Sequence, residues 1–440
     1  MTIPTLSLKG ISAAQTPARV DMEIYFEALG NRYHRDQNPT GTFPMNVAEN
    51  HLCWDILREK IQQITRENDI PEWVASYGDP SGIPDFREAT AIFLSKFLIK
   101  KPIDPNTLAC SVGATSVIEM TAFLLANPDS TAVIPAPSYP VYTGDIGVFP
   151  GVKRYDLQTH LELEELKNGI PISIAQLEKS KEEIESSGSN FSMLILTSPD
   201  NPTGGIYSEK QLRTITDWCI SHQIHLVVNE IYGLVRINHQ HPDLIQDYPQ
   251  PIEFISFGSI MQEYESPYLH LWHSFSKDFG ISGFRIGTLH SYNEDLIKAY
   301  KNVGLGHSIS NYTQWTLTEV LKDMDFLDSY FSAFQEALTE SYLIVRSTLK
   351  ELNIPFNPSY GSLFIWMDLS EFLKEKSAKS EEELWLNIYQ KSGILLTPTA
   401  GFGHQKHGLY RIVITSFDHE DLQLAMKRLK DYVNAKRSSR

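Results

Sequence analysis

The chain has 440 residues, of which 42% are hydrophobic and 21% charged, enough apolar material for a substantial core. Its net charge of -16 speaks against a general nucleic-acid or anionic-membrane surface, so an anionic ligand has to be held by local cations. Cys53, Cys110 and Cys219 show no metal-ligand spacing and have apolar sequence neighbours, and no stretch resembles a membrane helix or a signal peptide. They read as reduced core thiols, and the expectation is a soluble, cytoplasmic protein.

The first twenty or so residues are polar and read as a flexible or surface-draped arm. The spacing of Leu52, Ile56, Leu57 and Ile61 predicts an amphipathic helix beginning near Asn50 as its cap. The turn Tyr77-Gly78-Asp79-Pro80-Ser81-Gly82-Ile83-Pro84 enters a helix with Phe86, Ala89, Ile92 and Phe93 on its apolar face. A strand over 107–112 runs through Gly113, Ala114 and Thr115 into a helix over 116–125. The free first amides of such a helix make an anion site, and small residues leave room for the anion. A strand over 131–135 leads to Tyr139, an aromatic side chain flanked by prolines that can lie against a planar ring; Tyr142 reads more readily as a core tyrosine.

The charged segment 161–189 reads as helix-prone surface. A strand over 192–196 delivers Asn201-Pro202-Thr203-Gly204, an amide side chain held beside rigid backbone. A helix over 208–222 and a strand over 225–228 follow, ending in Asn229-Glu230-Ile231-Tyr232. His239 and His241 lack a third ligand nearby and read as polar loop, so no metal is expected.

The run Ser274-Phe275-Ser276-Lys277-Asp278-Phe279-Gly280-Ile281-Ser282-Gly283-Phe284-Arg285-Ile286-Gly287 organises the rest. Its lysine can condense with an aldehyde, and its serines and arginine can hold a phosphate. An aldehyde and a phosphate on one small molecule describe pyridoxal 5'-phosphate. Beyond Tyr300 the pattern is helical, including 330–352; strands over 361–369 and 409–414 and a helix over 420–432 follow, with AKRSSR as a disordered tail. Arg411 lies within an apolar strand and therefore needs an anionic partner.

These motifs, in this order, resemble the fold-type I pyridoxal-phosphate enzymes of the aminotransferase class I/II superfamily. Tyr33-His34, Asn38-Pro39-Thr40-Gly41 and Ala48-Glu49-Asn50-His51-Leu52-Cys53 are most similar to the 1-aminocyclopropane-1-carboxylate (ACC) synthase-like group. The resemblance implies an α/β fold: a mostly parallel central sheet flanked by helices, with a smaller α+β domain. It divides the chain into residues 1–70, an arm and helix joining the small domain, 71–305, the large cofactor-binding domain, and 306–440, the C-terminal small domain. It implies a homodimer in which Tyr77 reaches the neighbouring subunit's phosphate.

By the same resemblance, Tyr139 stacks on the pyridine ring and Asn201 and Tyr232 bond its phenolic oxygen. Ser274, Ser276 and Arg285 join Gly113, Ala114 and Thr115 at the phosphate. Lys277 holds the cofactor and then removes the substrate's α-proton. Arg411 grips the α-carboxylate, and Ala48 and Glu49 border the substrate; for Glu49, a carboxylate favoured by the start of a helix is an equal alternative.

The families carry an aspartate where this chain has Asn229. Without that carboxylate the ring nitrogen's pKa falls and the electron sink weakens. Three explanations stay open: an altered reaction, a homologue that binds the cofactor but turns over poorly, and a substitution made to trap an intermediate; the intact remainder of the site favours the first. The implied reaction is elimination, cyclisation or replacement at the γ-carbon of S-adenosylmethionine or a similar substrate. The alternatives are transamination to a 2-oxo acid and a non-catalytic pyridoxal-phosphate-binding protein.

Overall fold

The computed structural model describes residues 5–15 and 19–439. Twelve strands are present among them. The first eight are β1 (Phe43–Pro44), β2 (Leu108–Ser111), β3 (Thr131–Ala136), β4 (Lys153–Gln158), β5 (Phe191–Thr197), β6 (His225–Asn229), β7 (Leu269–Ser274) and β8 (Gly287–Ser291). The remainder are β9 (Phe364–Asp368), β10 (Ile394–Leu395), β11 (Thr397–Pro398) and β12 (Leu409–Val413).

Seven of them form the main sheet in the order β2-β8-β7-β6-β5-β3-β4. β8 alone runs antiparallel, against both β2 and β7. Strands buried on both faces need apolar residues at successive positions. Accordingly Leu194 and Leu196 of β5 pack with one cluster, which includes Val228 and Leu271. Met193 and Ile195 pack with a second, which includes Val227, Trp272 and Val117. The alternation follows from side chains pointing to opposite faces of a strand.

Because β8 is antiparallel, the carboxyl ends of β2, β3, β5, β6 and β7 and the start of β8 share one edge of the sheet. Ligands in open α/β sheets bind outside that edge. A second sheet, β11-β12-β9, is antiparallel and sets Arg411 opposite Thr397 and Trp366. β1 pairs parallel with β10, Phe43 opposite Ile394, which ties the segment before residue 50 to the C-terminal part of the chain.

Two expectations are corrected. The first long helix begins at Trp54, not near Asn50. Asn50 instead donates through Nδ2 to the carbonyl of Lys277 at 2.9 Å and accepts from Leu52 N–H. The C-terminal tail is helical to Ser438, with Arg437 bonded to the Leu352 carbonyl, and Arg440 lies outside the described residues. The arm contains a helix at Leu8–Gln15 and sends Arg19 inward; its residues 1–4 and 16–18 lie outside the described residues. All three cysteines are free and buried, and among the described residues no helix is long and apolar enough to cross a membrane.

Candidate active site

A cavity of about 250 Å³ opens at the carboxyl edge of the main sheet. Each motif reaches it from a strand end. Ala114 and Thr115 follow β2, Tyr139 follows β3, Asn201 follows β5, Asn229 closes β6, and Ser276 and Lys277 follow β7. Arg285 precedes β8, and Ala48 and Glu49 come from the segment after β1.

Lys277 sits on a one-turn helix, Phe275–Asp278. Its amine donates to the carbonyl of Ala48 at 2.6 Å and to Ser282 Oγ at 3.3 Å. Burial lowers its pKa to about 8. Glu49 pulls the other way, and Arg411, Arg285 and Arg19 add to the lowering. The amine is thus brought within reach of its neutral, nucleophilic form.

Ser276 is on the wall, whereas Ser274 is behind it. The Ser274 hydroxyl donates to the Ile286 carbonyl at 2.6 Å and accepts from Ser276 N–H, so it caps the turn that carries Lys277. Arg285 occupies the left-handed backbone region, φ 57°, where a non-glycine residue costs roughly 1–3 kcal/mol. Its guanidinium lies over Gly113, φ 89°, where a Cβ would collide with it. The glycine therefore keeps the helix start at Ala114 and the guanidinium side by side, a cradle for a phosphate.

Arg411 is buried beneath this region. It donates to Asn201 Oδ1 at 2.7 Å, to the Asn46 carbonyl and to Thr397 Oγ1 at 3.2 Å, while its Nε has no partner. Phe364 and Phe402 flank it at 4.3 and 5.4 Å. Burial, and then Arg19, lower its pKa to about 10, so an arriving carboxylate is favoured. Because Asn201 spends its oxygen on Arg411, its amide N–H groups remain free to donate into the cavity.

Glu49 lies five residues before the helix at Trp54, outside the reach of that helix's first turn. Its carboxylate is on the cavity wall and has no ion-pair partner among the described residues. Glu230, next to Asn229, is turned away and bonds Ser256 Oγ and Phe257 N–H at a helix start. Tyr77 is 97% exposed and outside the cavity. His239 packs against the rings of Tyr248 and Tyr360.

Several wall residues were missed by the sequence reading: Arg19, Tyr142, Thr197 and Ser282, with the apolar Ile118 and Ile231. Arg19 pairs with buried Asp21, which in turn accepts from Asn46 Nδ2 at 2.6 Å. It left no signal, because the Arg19–Asp21 pair is anchored at the cavity by Asn46, which is distant in sequence. Tyr142 is a fully buried core tyrosine, as expected, and in addition borders the cavity.

Residues 44–429 match the family Aminotransferase class I and II. The chain belongs to the aminotransferase class I and II family. This family member is 28% identical over 415 residues to 1-aminocyclopropane-1-carboxylate synthase 6 of Arabidopsis thaliana, covering 92% of this chain and 80% of that one. It is 29% identical over 418 residues to the 1-aminocyclopropane-1-carboxylate synthase of Nicotiana tabacum, covering 92% and 82%.

Among solved structures the fold matches an aspartate aminotransferase of Thermus thermophilus, TM-score 0.76 at 18% identity, over 98% of this chain and 100% of that one. It also matches an archaeal alanine:glyoxylate aminotransferase, TM-score 0.77 at 16% identity, over 96% of each. The protein is a pyridoxal-phosphate-dependent enzyme of the class I/II superfamily. The Gly113 cradle beneath the Arg285 guanidinium fits the phosphate of that cofactor, and the buried Lys277 amine, lowered to about 8, fits its aldehyde.

Proposed function

We propose that this enzyme removes the α-proton of an amino acid and then expels a leaving group from the γ-carbon, as an ACC synthase-like enzyme, with the sulfonium of S-adenosylmethionine as that leaving group. The carrying observation is Glu49: an unpaired carboxylate beside Lys277 suits a cationic substituent. The likeness to 1-aminocyclopropane-1-carboxylate synthases over 92% of the chain supports the same reading.

Bound pyridoxal phosphate supplies an aldehyde carbon and an electron-withdrawing ring. Thr115, Ser276, Arg285 and the amides after Gly113 would hold the phosphate, Tyr139 would face the ring, and the amide N–H of Asn201 and the hydroxyl of Tyr232 would be the donors for the phenolic oxygen. Burial holds Tyr232 well above the ordinary phenol range, which keeps it a donor. Arg411 fixes the substrate's α-carboxylate, so the α-hydrogen is presented to the Lys277 amine, which takes it. Tyr77, exposed on its own subunit, completes the phosphate site of a second subunit in a homodimer.

Arg19 favours a second reading. Its guanidinium and that of Arg411 converge on the Asn46 carbonyl, an arrangement suited to a substrate with two carboxylates and to transamination with a 2-oxo acid.

The test is mass spectrometry of holoenzyme incubated with S-adenosylmethionine, reading methylthioadenosine and the cofactor together. Methylthioadenosine above a Lys277→Ala control, with pyridoxal phosphate retained, is the expected result. No release overturns the sulfonium reading. Pyridoxamine phosphate formed with dicarboxylic amino acids establishes the second reading, and an inert cofactor with every donor leaves a binding protein.

A further inference from the structure

Asn229 is 5% exposed and its two amide atoms are both engaged. The N–H of Ile231 can only donate, and it meets Asn229 Oδ1 at 3.1 Å. That contact decides the amide's orientation, since Nδ2 in the same place would set donor against donor. Nδ2 therefore lies on the other side and donates to the hydroxyl of Tyr142 at 2.8 Å. The Tyr142 hydroxyl also shares a hydrogen bond with Thr197 Oγ1, 2.9 Å away, in which either hydroxyl can donate. The chain runs from the Ile231 backbone through Asn229 and Tyr142 to Thr197, and every member is neutral. All of its side chains lie on the cavity wall. One hydrogen of Nδ2 is left unspent.

We propose that Tyr142 and Thr197 are positioning residues that hold the Asn229 amide as a hydrogen-bond donor toward the cofactor's ring nitrogen, so that this nitrogen stays unprotonated. This rests on the reading above that Asn229 meets the ring. The charges nearby agree. The basic side chains on the same wall are Lys277, Arg285 and Arg19, the last paired with Asp21, and none of them can serve as a counter-ion to a cationic ring. Of the carboxylates that act on Tyr142, Asp200 is turned to Thr203, and Asp145 makes no hydrogen bond to the chain. Burial pushes both up to about 7, which weakens them as counter-ions at neutral pH. Glu49 stands at the Lys277 end. The phenol of Tyr142 is pushed up to about 12 by burial, against its bonds to Thr197 and Asn229, and so stays a hydroxyl.

Nuclear magnetic resonance of holoenzyme loaded with pyridoxal phosphate labelled with nitrogen-15 in the ring tests this. Between pH 6.5 and 9 the wild type is expected to give one resonance at the unprotonated pyridine position that does not move with pH. Asn229→Asp is expected to shift it to the pyridinium position. Tyr142→Phe, which frees the amide, is expected to move or split it, and Thr197→Val, which removes the phenol's other hydrogen-bond partner, serves if the first variant does not fold. A wild-type resonance at the pyridinium position overturns the proposal, and the wild-type titration decides this without any variant. A Tyr142→Phe or Thr197→Val resonance identical to wild type overturns the positioning role. The phosphorus resonance of bound cofactor separates these outcomes from failure of the cofactor reading: if none appears, the cofactor reading fails, whereas a bound cofactor with a protonated ring sinks only this inference.

Discussion

Lys277 combines a nucleophile's position with a nucleophile's protonation state. Burial and three arginines bring its amine down to about 8, and only the neutral fraction of the amine can attack an aldehyde. The rate of pyridoxal-phosphate uptake by cofactor-stripped protein is therefore expected to rise about tenfold per pH unit up to about pH 8 and to level above it. Stopped-flow absorbance reads this directly, and a rate flat from pH 6.5 to 9 would contradict it. The lysine, Asn201, Tyr232 and Arg411 were legible in the sequence because each sits in a short run with its neighbours. Arg19 was not, because what anchors the Arg19–Asp21 pair at the wall is its bonding to Asn46, far along the chain, which no local pattern records. Asn50 looked like a helix cap because a small polar residue before an apolar run usually is one; tertiary bonding to the Lys277 carbonyl took it instead.

At the scale of elements, β2, β3, β5 and β6 were readable to within a residue or two, since their apolar runs end sharply at turn residues, whereas β4, largely unburied, and β8 were not read as strands. What could not be read was what the polar members of those strands do. β6, β7 and β8 carry His225, His270 and His290; His225 Nδ1 lies 3.0 Å from His270 Nε2, His270 Nδ1 lies 2.9 Å from Ser291 Oγ, and His290 Nδ1 lies 3.0 Å from Thr107 Oγ1. Burial pushes His225 and His290 down to about 4 and His270 well below its ordinary value. An unfolded histidine titrates near 6.5, so between these values the unfolded chain binds more protons. Stability contributed by these rings is thus full above about pH 6.5 and falls as the pH drops toward 4, by up to about 1.4 kcal/mol per pH unit for each ring. Urea midpoints measured at several pH values are expected to show a shallower acid slope in His225→Gln; an unchanged slope would contradict the account.

The whole molecule ties both ends of the chain around one cavity. β1 pairs with β10, Ala48 accepts from Lys277, and Arg411 reaches Asn201 from the antiparallel sheet. The overall fold was legible because the motifs lie in order along a long strand-and-helix alternation. The homodimer rests on the resemblance alone, since Tyr77 is simply an exposed ring of this chain. If it serves a second subunit's phosphate, Tyr77→Phe loses a hydrogen bond to a charged group and weakens pyridoxal-phosphate binding by about 10- to 100-fold. Tyr77→Phe with unchanged affinity, read by equilibrium dialysis, would remove that residue from the site. The account as a whole turns on α-proton removal by Lys277, and one measurement reaches it without assuming which product follows. Holoenzyme incubated with candidate amino acids in heavy water is expected to place deuterium at the α-carbon of at least one of them, and Lys277→Ala is expected to lose that exchange by about 10²- to 10⁴-fold. Exchange that survives in Lys277→Ala, or its absence with every amino acid offered to the cofactor-loaded wild type, would contradict the central claim.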